Sequence, residues 1–390
     1  MNKKSVFPVF EKMDIDKCTA CEACANICPV NIIEFCEDKE GFRYPSIDSE
    51  KCIGCNACVK ICPVLKNPEK RTLLRKCYGG YALDNNVVLE SSSGGIFTCI
   101  VNWFLKKYEN GKYVGVVWND DFTSAKYIIT DNYDELSRIR VSKYVQARKG
   151  NIYQNVKNEL DKGKHVLFSG CPCEVAGLKS FLKKDYDKLF TIDFVCKGPT
   201  SEKVFREYIK SVSKNRKVIS MNMRVVGERP WIPQWMRIEF DNSKKIFRPF
   251  YSTVLGRTFQ IFQRKSCFSC NFCGENRYSD LTLGDFHGVD TNKKYYNPDG
   301  TSEIIVNTPK GETIVDEIQC DTYLEEVLYS EIAAHNPCVE KPNSKPLMRD
   351  VFGKYLSEKN LNTAFRKTTP LKIRLIMKYK DIKEKLWAGR

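Results

Sequence analysis

Residues 164–198 read KHVLFSGCPCEVAGLKSFLKKDYDKLFTIDFVCKG, which parses as two βα units in series. Val166–Phe168 is a short, wholly apolar run suited to a buried strand, and SGCPC (Ser169–Cys173) is a turn. Val175–Lys184 has helix length, and Phe190–Val195 is a second apolar strand ending at Cys196. Open parallel sheets bind ligands beyond the carboxyl ends of their strands. Cys173 and Cys196 both fall there. Cys267 and Cys270 follow much later at a metal-type interval. Four such thiols suit one [4Fe–4S] cluster inside an α/β body. Free cysteines also serve as small buried hydrophobes, and spacing alone leaves both readings open.

A chain of 390 residues, 42% of them hydrophobic, has room for a sizeable core and two or three domains. No apolar run reaches membrane-spanning length, and MNKKSVFPVFEKMD lacks the apolar stretch of a signal peptide, so a cytoplasmic protein is expected. Nineteen cysteines in a reducing compartment point to metal rather than disulfides. Three histidines are too few for His-rich zinc or haem chemistry. The formal charge of +15 suits a polyanionic cofactor or an acidic redox partner as well as nucleic acid.

The first seventy residues carry a duplicated pattern. Cys18-x2-Cys21-x2-Cys24-x3-Cys28-Pro29 recurs as Cys52-x2-Cys55-x2-Cys58-x3-Cys62-Pro63, offset by 34 residues throughout. The spacing is that of two-cluster bacterial ferredoxins, in which the fourth cysteine of each run ligates the other cluster. One cluster then takes Cys18, Cys21, Cys24 and Cys62; the other takes Cys52, Cys55, Cys58 and Cys28. Soft tetrahedral sulfur also admits zinc, but the doubled Cys-Pro pattern favours iron and argues against a zinc-bearing nucleic-acid binder.

Between 71 and 163, Cys77–Leu83, Tyr113–Trp118 and Ala125–Thr130 read as strands, and Ile152–Leu160 as a helix. The turn Ser91-Ser92-Ser93-Gly94-Gly95 opens a helix of amphipathic period and offers free backbone N–H groups to a phosphate, or merely caps the helix. In Ser142–Ala147 (SKYVQA), Lys143 is suited to an anion, Tyr144 to stacking on a ring and Gln146 to bonding its edge. Further on, Pro199–Val212 reads as a helix, Val218–Arg224 as a strand, and Met236–Phe240 with Ile246–Phe250 as an antiparallel pair. Cys267-x2-Cys270-x2-Cys273 is an incomplete cluster loop that must borrow ligands. Cys173 and Cys196 are the lenders, with Cys171 and Cys273 as alternatives. Asp285 ends the strand Leu281–Leu283, Ser302–Asn307 is another strand, and Glu312–Ile318 a helix. Pro337–Arg349 is a linker. In Pro370–Arg390, a helix with Leu371, Leu375, Tyr379, Ile382 and Leu386 on one stripe, basic groups prevail; it is suited to covering this protein's own core or a partner, or to peripheral contact with an anionic bilayer.

Taken together, SSSGGIF (Ser91–Phe97), SKYVQA, VLFSGCPCEVAGL (Val166–Leu178), DFVCKG (Asp193–Gly198) and SCFSC…SDLTLGDFHG (Ser266–Gly288) resemble the coenzyme F420 hydrogenase and dehydrogenase beta-subunit family. The resemblance implies an α/β fold, a mixed-sheet α+β flavoprotein body, behind an N-terminal ferredoxin-like domain with two [4Fe–4S] clusters. The implied divisions are 1–70 (ferredoxin-like), 71–163 (first α/β part), 164–336 (cluster- and flavin-binding part) and 337–390 (linker and basic helix). It implies a third [4Fe–4S] cluster on Cys173, Cys196, Cys267 and Cys270, which demotes Cys171 and Cys273. It also implies FAD, in preference to FMN, beside Ser91–Gly95, Lys143, Tyr144, Val145, Gln146 and Asp285. Glu174 and Lys197 stand where the family carries Gln and His, and by topology they are the nearest proton-donor candidates. The expected activity is an iron–sulfur flavoprotein oxidoreductase linking a ferredoxin-type donor to a small organic substrate, with F420 a candidate. The alternative is a non-enzymatic electron-transfer subunit.

Overall fold

The computed structural model describes residues 7–66 and 76–388, with side chains to residue 380. The N-terminal segment carries two short helices, Ala23–Ile27 and Ala57–Ile61, each at the end of a cysteine loop, and an antiparallel pair, β1 (Ile33–Glu37) and β2 (Arg43–Ile47). Residues 67–75, at the junction expected near 70, lie outside the described ones.

The body is built on β3 (Lys76–Ala82), β4 (Lys112–Trp118), β5 (Ala125–Thr130), β6 (Ala147–Arg148), β7 (Val166–Gly170) and β8 (Leu189–Phe194). A separate antiparallel sheet follows, formed by β9 (Val218–Val225), β10 (Trp235–Phe240) and β11 (Lys245–Pro249). The chain then returns to the large sheet with β12 (Leu281–Asp285), β13 (Ser302–Val306) and β14 (Thr322–Val327). The nine-stranded order is β14-β3-β13-β12-β8-β7-β4-β5-β6. Its centre, β12-β8-β7-β4, is parallel, whereas β13, β3 and β14 on one flank and β5 on the other run antiparallel to their inner neighbours. The α/β expectation and the mixed sheet are both observed.

Every residue of β7 and of β13 is buried, as strands covered on both faces must be. On one face lie the helices Ile152–Asp161, Pro172–Leu182 and Glu202–Ser213, whose Val156, Leu178 and Phe205 share a core with Cys21, Ala23 and Ile61 of the N-terminal segment. On the other face, Ile96–Lys107 and Pro309–Glu317 pack Ile100, Phe104 and Ile314 against Leu281 and Ile304.

Boundaries moved for local reasons. The helix expected from Val175 starts at Pro172, because proline suits the first helical position and Cys171 provides the cap. The helix expected from Pro199 starts at Glu202, since Thr200 is occupied in a bridge to Val145. The linker at 337–349 leads into two helices that the sequence pattern does not separate, Arg349–Glu358 and Leu361–Thr368. The last helix spans Leu371–Ala388, but Leu371, Leu375, Ile376 and Tyr379 are exposed. That stripe does not cover the protein's own core; the burial of Ile382 and Leu386 lies outside the described side chains.

Candidate functional site

Parallel pairing of β7 with β8 and of β8 with β12 sets their carboxyl ends side by side. Six cysteines from three segments gather there. Cys171 caps the helix Pro172–Leu182, and Cys173 lies in its first turn. Cys196 follows β8, and Cys267, Cys270 and Cys273 come from the loop before β12. Gly198 forces this convergence. With φ of +93°, it lies so near the neighbouring loop that a Cβ there would sit 2.8 Å from Cys267 Sγ. Only glycine accepts both that conformation and that approach.

The thiols feel one another. A hydrogen bond with Cys196, and then burial, push the Cys171 thiol well up. Burial raises Cys173, reinforced by Glu174, Cys270 and Cys196. Burial likewise raises Cys267, with Cys196 and Cys270 adding to it. Cys270 moves the other way, to about 7, because Cys273 donates to it and the Phe272 amide lies 3.4 Å from its Sγ. The Gly198 N–H reaches Cys196 Sγ at 3.3 Å. Amide donors aimed at sulfur, with a helix N-terminus beside Cys173, favour an anionic thiolate assembly.

In the N-terminal segment, Cys18, Cys21, Cys24 and Cys62 line one cavity together with Phe7, Val9 and Phe10. These are the four thiols that the crossed ferredoxin pattern assigns to one cluster. Burial raises Cys21 to about 12, with Cys62 and Cys18 adding to the shift. Cys24 is raised by burial and by Cys21, Cys18 and Cys62. Of the other set, Cys52 and Cys55 are exposed and Cys28 and Cys58 half-buried. Cys58 lies within electrostatic reach of Cys55 and Cys52. Among the described residues, no three His, Cys, Asp or Glu side chains converge as they would around a single ion. A four-iron cube carries one thiolate on each iron, a looser demand that Cys18, Cys21, Cys24 and Cys62 around one cavity are able to meet.

A buried polar seam joins the two regions. The Tyr153 hydroxyl lies 2.9 Å from the carbonyl oxygens of both Cys21 and Glu174. The Lys149 ammonium pairs with Glu174 at 2.6 Å, and the Lys149 amide donates to Glu22. Glu174 also accepts from the Tyr127 hydroxyl at 2.5 Å and from the Cys171 amide at 2.9 Å. Burial alone raises the Glu174 carboxyl, but Lys149 and these donors bring it below the usual carboxylate range. Arg264, three residues before Cys267 and buried, donates to the carbonyls of Cys18 and Arg43 at 2.7 and 2.9 Å. Sequence reasoning misses Lys149, Tyr153 and Arg264; no spacing distinguishes a clamp from an ordinary basic or aromatic residue.

The expected flavin-side residues separate into two groups. Ser92, Tyr144 and Asp285 come together around Arg224, which no sequence motif singles out. Its guanidinium reaches Asp285 at 2.7 Å, the Ser92 carbonyl at 2.8 Å and the Tyr144 hydroxyl at 3.2 Å. Burial works against the Arg224 charge, but Asp285 and Tyr144 outweigh it and raise its proton affinity. Trp231 adds an indole N–H to the Ser92 carbonyl at 3.2 Å.

The remaining residues are engaged elsewhere. The Ser91 hydroxyl donates to Val87, the Ser93 hydroxyl to Thr301, and the Gly94 amide to the Ser302 hydroxyl. Gly95, at φ +84°, caps Ile96–Lys107. Lys143 donates to the Ile139 and Val141 carbonyls, and burial, with Arg138, lowers it to about 7. Val145 is core, and Gln146 donates to the Thr19 carbonyl at 2.6 Å. Val141 holds φ of +94°, a strained conformation for a β-branched residue, at the start of this stretch. Glu174 and Lys197 are not partners: Glu174 is buried against Lys149, and Lys197 is exposed on the turn after Cys196.

Residues 163–331 match the family model for the C terminus of the coenzyme F420 hydrogenase/dehydrogenase beta subunit, and residues 17–65 match a 4Fe-4S dicluster domain. A coenzyme F420-dependent sulfite reductase of Methanocaldococcus jannaschii is 25% identical over 313 residues, which are 79% of this chain and 47% of the relative. The chain thus spans about half the length of that protein. Among solved structures, a chain of the F420-reducing [NiFe] hydrogenase complex from Methanosarcina barkeri aligns over 77% of this chain and 93% of its own, at 15% identity and a TM-score of 0.47. The chain thus sets a segment similar to a 4Fe-4S dicluster domain ahead of a region similar to the C terminus of the coenzyme F420 hydrogenase/dehydrogenase beta subunit.

Proposed function

We propose that this iron–sulfur redox protein is an oxidoreductase with three [4Fe–4S] clusters and a flavin, FAD rather than FMN. In this reading it passes electrons between a ferredoxin-type donor and a small organic substrate, for which F420 is a candidate. Iron–sulfur cubes supply one-electron chemistry and a flavin two-electron chemistry. The observation that carries the reading is the gathering of Cys171, Cys173, Cys196, Cys267 and Cys270 at the ends of parallel strands, directly behind the loop of Cys21.

Cys173, Cys196, Cys267 and Cys270 hold the body cluster, with Gly198 and Phe272 amides stabilising their sulfurs. Arg224, fixed by Asp285, presents a buried cation toward an anionic cofactor. The Ser92 turn and Tyr144 sit against it. Glu174, with its carboxylate engaged by Lys149 and Tyr127, acts as a positioning residue for the Cys171–Cys173 turn. Lys197, at the open end of the site, is the group suited to meet solvent and substrate. The relative's name ties it to F420, so F420 leads the list of substrates to try.

Anaerobic purification with iron, sulfide and flavin quantification tests this. About twelve irons and one FAD per chain, with flavin reduction by reduced ferredoxin or by F420H2, are expected. Eight irons and no flavin would reduce the protein to an electron carrier.

A further inference from the structure

Glu303 is a buried carboxylate with little support around it. It lies on β13, opposite Gly79 on β3 and Gly284 on β12. The residue is fully buried. Oε1 accepts from the Asn336 side-chain amide at 2.9 Å, while Oε2 is buried without a partner. The carboxylate rests over Gly284, where a Cβ would stand 2.5 Å from Oε1. Gly79 gives its space to Phe286 and Tyr295, whose stacked rings roof that side. The two glycines thus make a slot one carboxyl wide.

The slot lies on the sheet face that carries Asp193 and Thr282. Asp193, Thr282 and Glu303 lie on successive strands β8, β12 and β13, and Arg277 pairs with Asp193 at 2.9 Å. Arg277 acts electrostatically on Glu303 and also on Cys270 and Cys273. Lys197, next to Cys196, acts on Glu303 from the solvent side. Asp285 is the like charge on β12, and Asn336 is the neutral contact from the segment after Tyr329–His335. His287 precedes Gly288, against which the His335 ring packs. Neither Arg277 nor Lys197 makes an ion pair with Glu303. Burial, with Asp285 adding, raises its carboxyl to about 8.

A buried carboxyl with one free oxygen and no paired cation is suited to change protonation state. We propose that Glu303 is a redox-linked proton site: it takes one proton from solvent as one electron, delivered by a one-electron donor of the ferredoxin class, reaches the centre held by Cys173, Cys196, Cys267 and Cys270. The balance is simple. Where the carboxyl is ionised beforehand, the centre gains one electron, the carboxylate becomes a carboxylic acid, and the sheet face keeps its net charge. The proton is returned when the electron leaves for the acceptor. This rests on the iron–sulfur reading of those four cysteines.

The test is a redox titration of the anaerobic, iron-loaded protein between pH 6.5 and 9.5, alongside infrared spectra of the carboxylic C=O stretch. In the native protein the midpoint potential of the body centre is expected to be level below about pH 8 and to fall with pH above it. A protonated-carboxyl band is expected to fade through the same pH. Glu303→Gln should lose the band and hold a level potential throughout. Glu303→Asp, shorter by one methylene, should keep a shifted dependence, and it serves if the glutamine variant does not fold. A level native potential up to pH 9.5, or a slope surviving in Glu303→Gln, overturns the assignment. The infrared titration reads Glu303 whether or not iron is bound. Iron well short of twelve per chain sinks the cluster reading instead, so the two failures are distinguishable.

Discussion

Gly177 and Cys21 are in contact: a Cβ built on Gly177 would lie 3.1 Å from Cys21 Cβ and 3.3 Å from its Sγ. The helix that begins with Cys171 and Cys173 therefore presses its bare backbone onto the first cysteine loop. In an open helix, Gly→Ala is worth about 1 kcal/mol. At Gly177 that gain is expected to vanish, because the methyl would also meet the Tyr153 hydroxyl at 3.0 Å. Gly177→Leu overpacks the joint and is expected to cost roughly 1–3 kcal/mol. Denaturant unfolding and iron content check this: the leucine variant should lose iron from the Cys18–Cys24 loop.

Lys149 and Glu174 are a buried ion pair, so removing one partner strands the other. Lys149→Met is expected to destabilise by about 3–5 kcal/mol, and the double variant Lys149→Met/Glu174→Gln to recover part of that loss. Urea midpoints of the native protein, Lys149→Met, Glu174→Gln and the double variant give the coupling directly. Equal destabilisation by Lys149→Met and by the double variant would show that neutralising Glu174 relieves nothing.

These two joints mark where sequence legibility ends. The doubled Cys-x2-Cys-x2-Cys-x3-Cys-Pro run declares itself because a cube fixes the spacing of its ligands locally. Val166–Gly170 and Leu189–Phe194 are legible because strands buried on both faces are mostly apolar, even though the second also buries Thr191 and Asp193. Thr322–Val327 escapes notice because an edge strand with Glu325 and Glu326 has no such signature. Arg224 is invisible for a different reason. It lies near the end of an ordinary strand, and its meaning comes from Asp285, Tyr144 and Ser92, residues between 61 and 132 positions away. Long-range polar clamps leave no period to read.

The raised carboxyl of Glu303 makes stability depend on pH. Its folded value is about 8, against roughly 4.3 in an unfolded chain. Between those limits the folded state binds the extra proton, so stability falls as pH rises from about 4.3 to 8 and then levels. Glu303→Gln lacks this slope. The urea midpoint of the variant, compared with the native protein, is expected to gain steadily from pH 5 to 8 and to hold constant above. A constant difference across that range would put the native carboxyl near its ordinary value.

The final helix offers a contrast. Leu371, Leu375, Ile376 and Tyr379 are exposed on it, flanked by Lys372, Lys378 and Lys380. Among the described residues no helix is long and apolar enough to cross a membrane. Substitutions at solvent-facing sites usually fall within about 0.5 kcal/mol. Leu375→Glu and Tyr379→Glu are therefore expected to leave the thermal midpoint of the isolated protein nearly unchanged. A loss several times larger would mean that this stripe is covered in solution.

The body cysteines allow the sharpest discrimination, because six thiols compete for four places. Cys171 is hydrogen-bonded to Cys196 and Cys273 to Cys270, so each extra thiol leans on one of the proposed ligands. A ligand lost to serine removes the anionic sulfur that an iron requires, whereas a leaning thiol lost to serine keeps a hydroxyl donor in place. Cys196→Ser and Cys267→Ser are each expected to lower iron by about four per chain, the content of one cube. Cys171→Ser and Cys273→Ser should keep the full complement and shift the potential of the body centre, since each alters a hydrogen bond to a ligating sulfur. Iron loss in Cys171→Ser with retention in Cys173→Ser would exchange the roles of these two neighbours. It would also move the fourth ligand from the first turn of the helix Pro172–Leu182 to its cap.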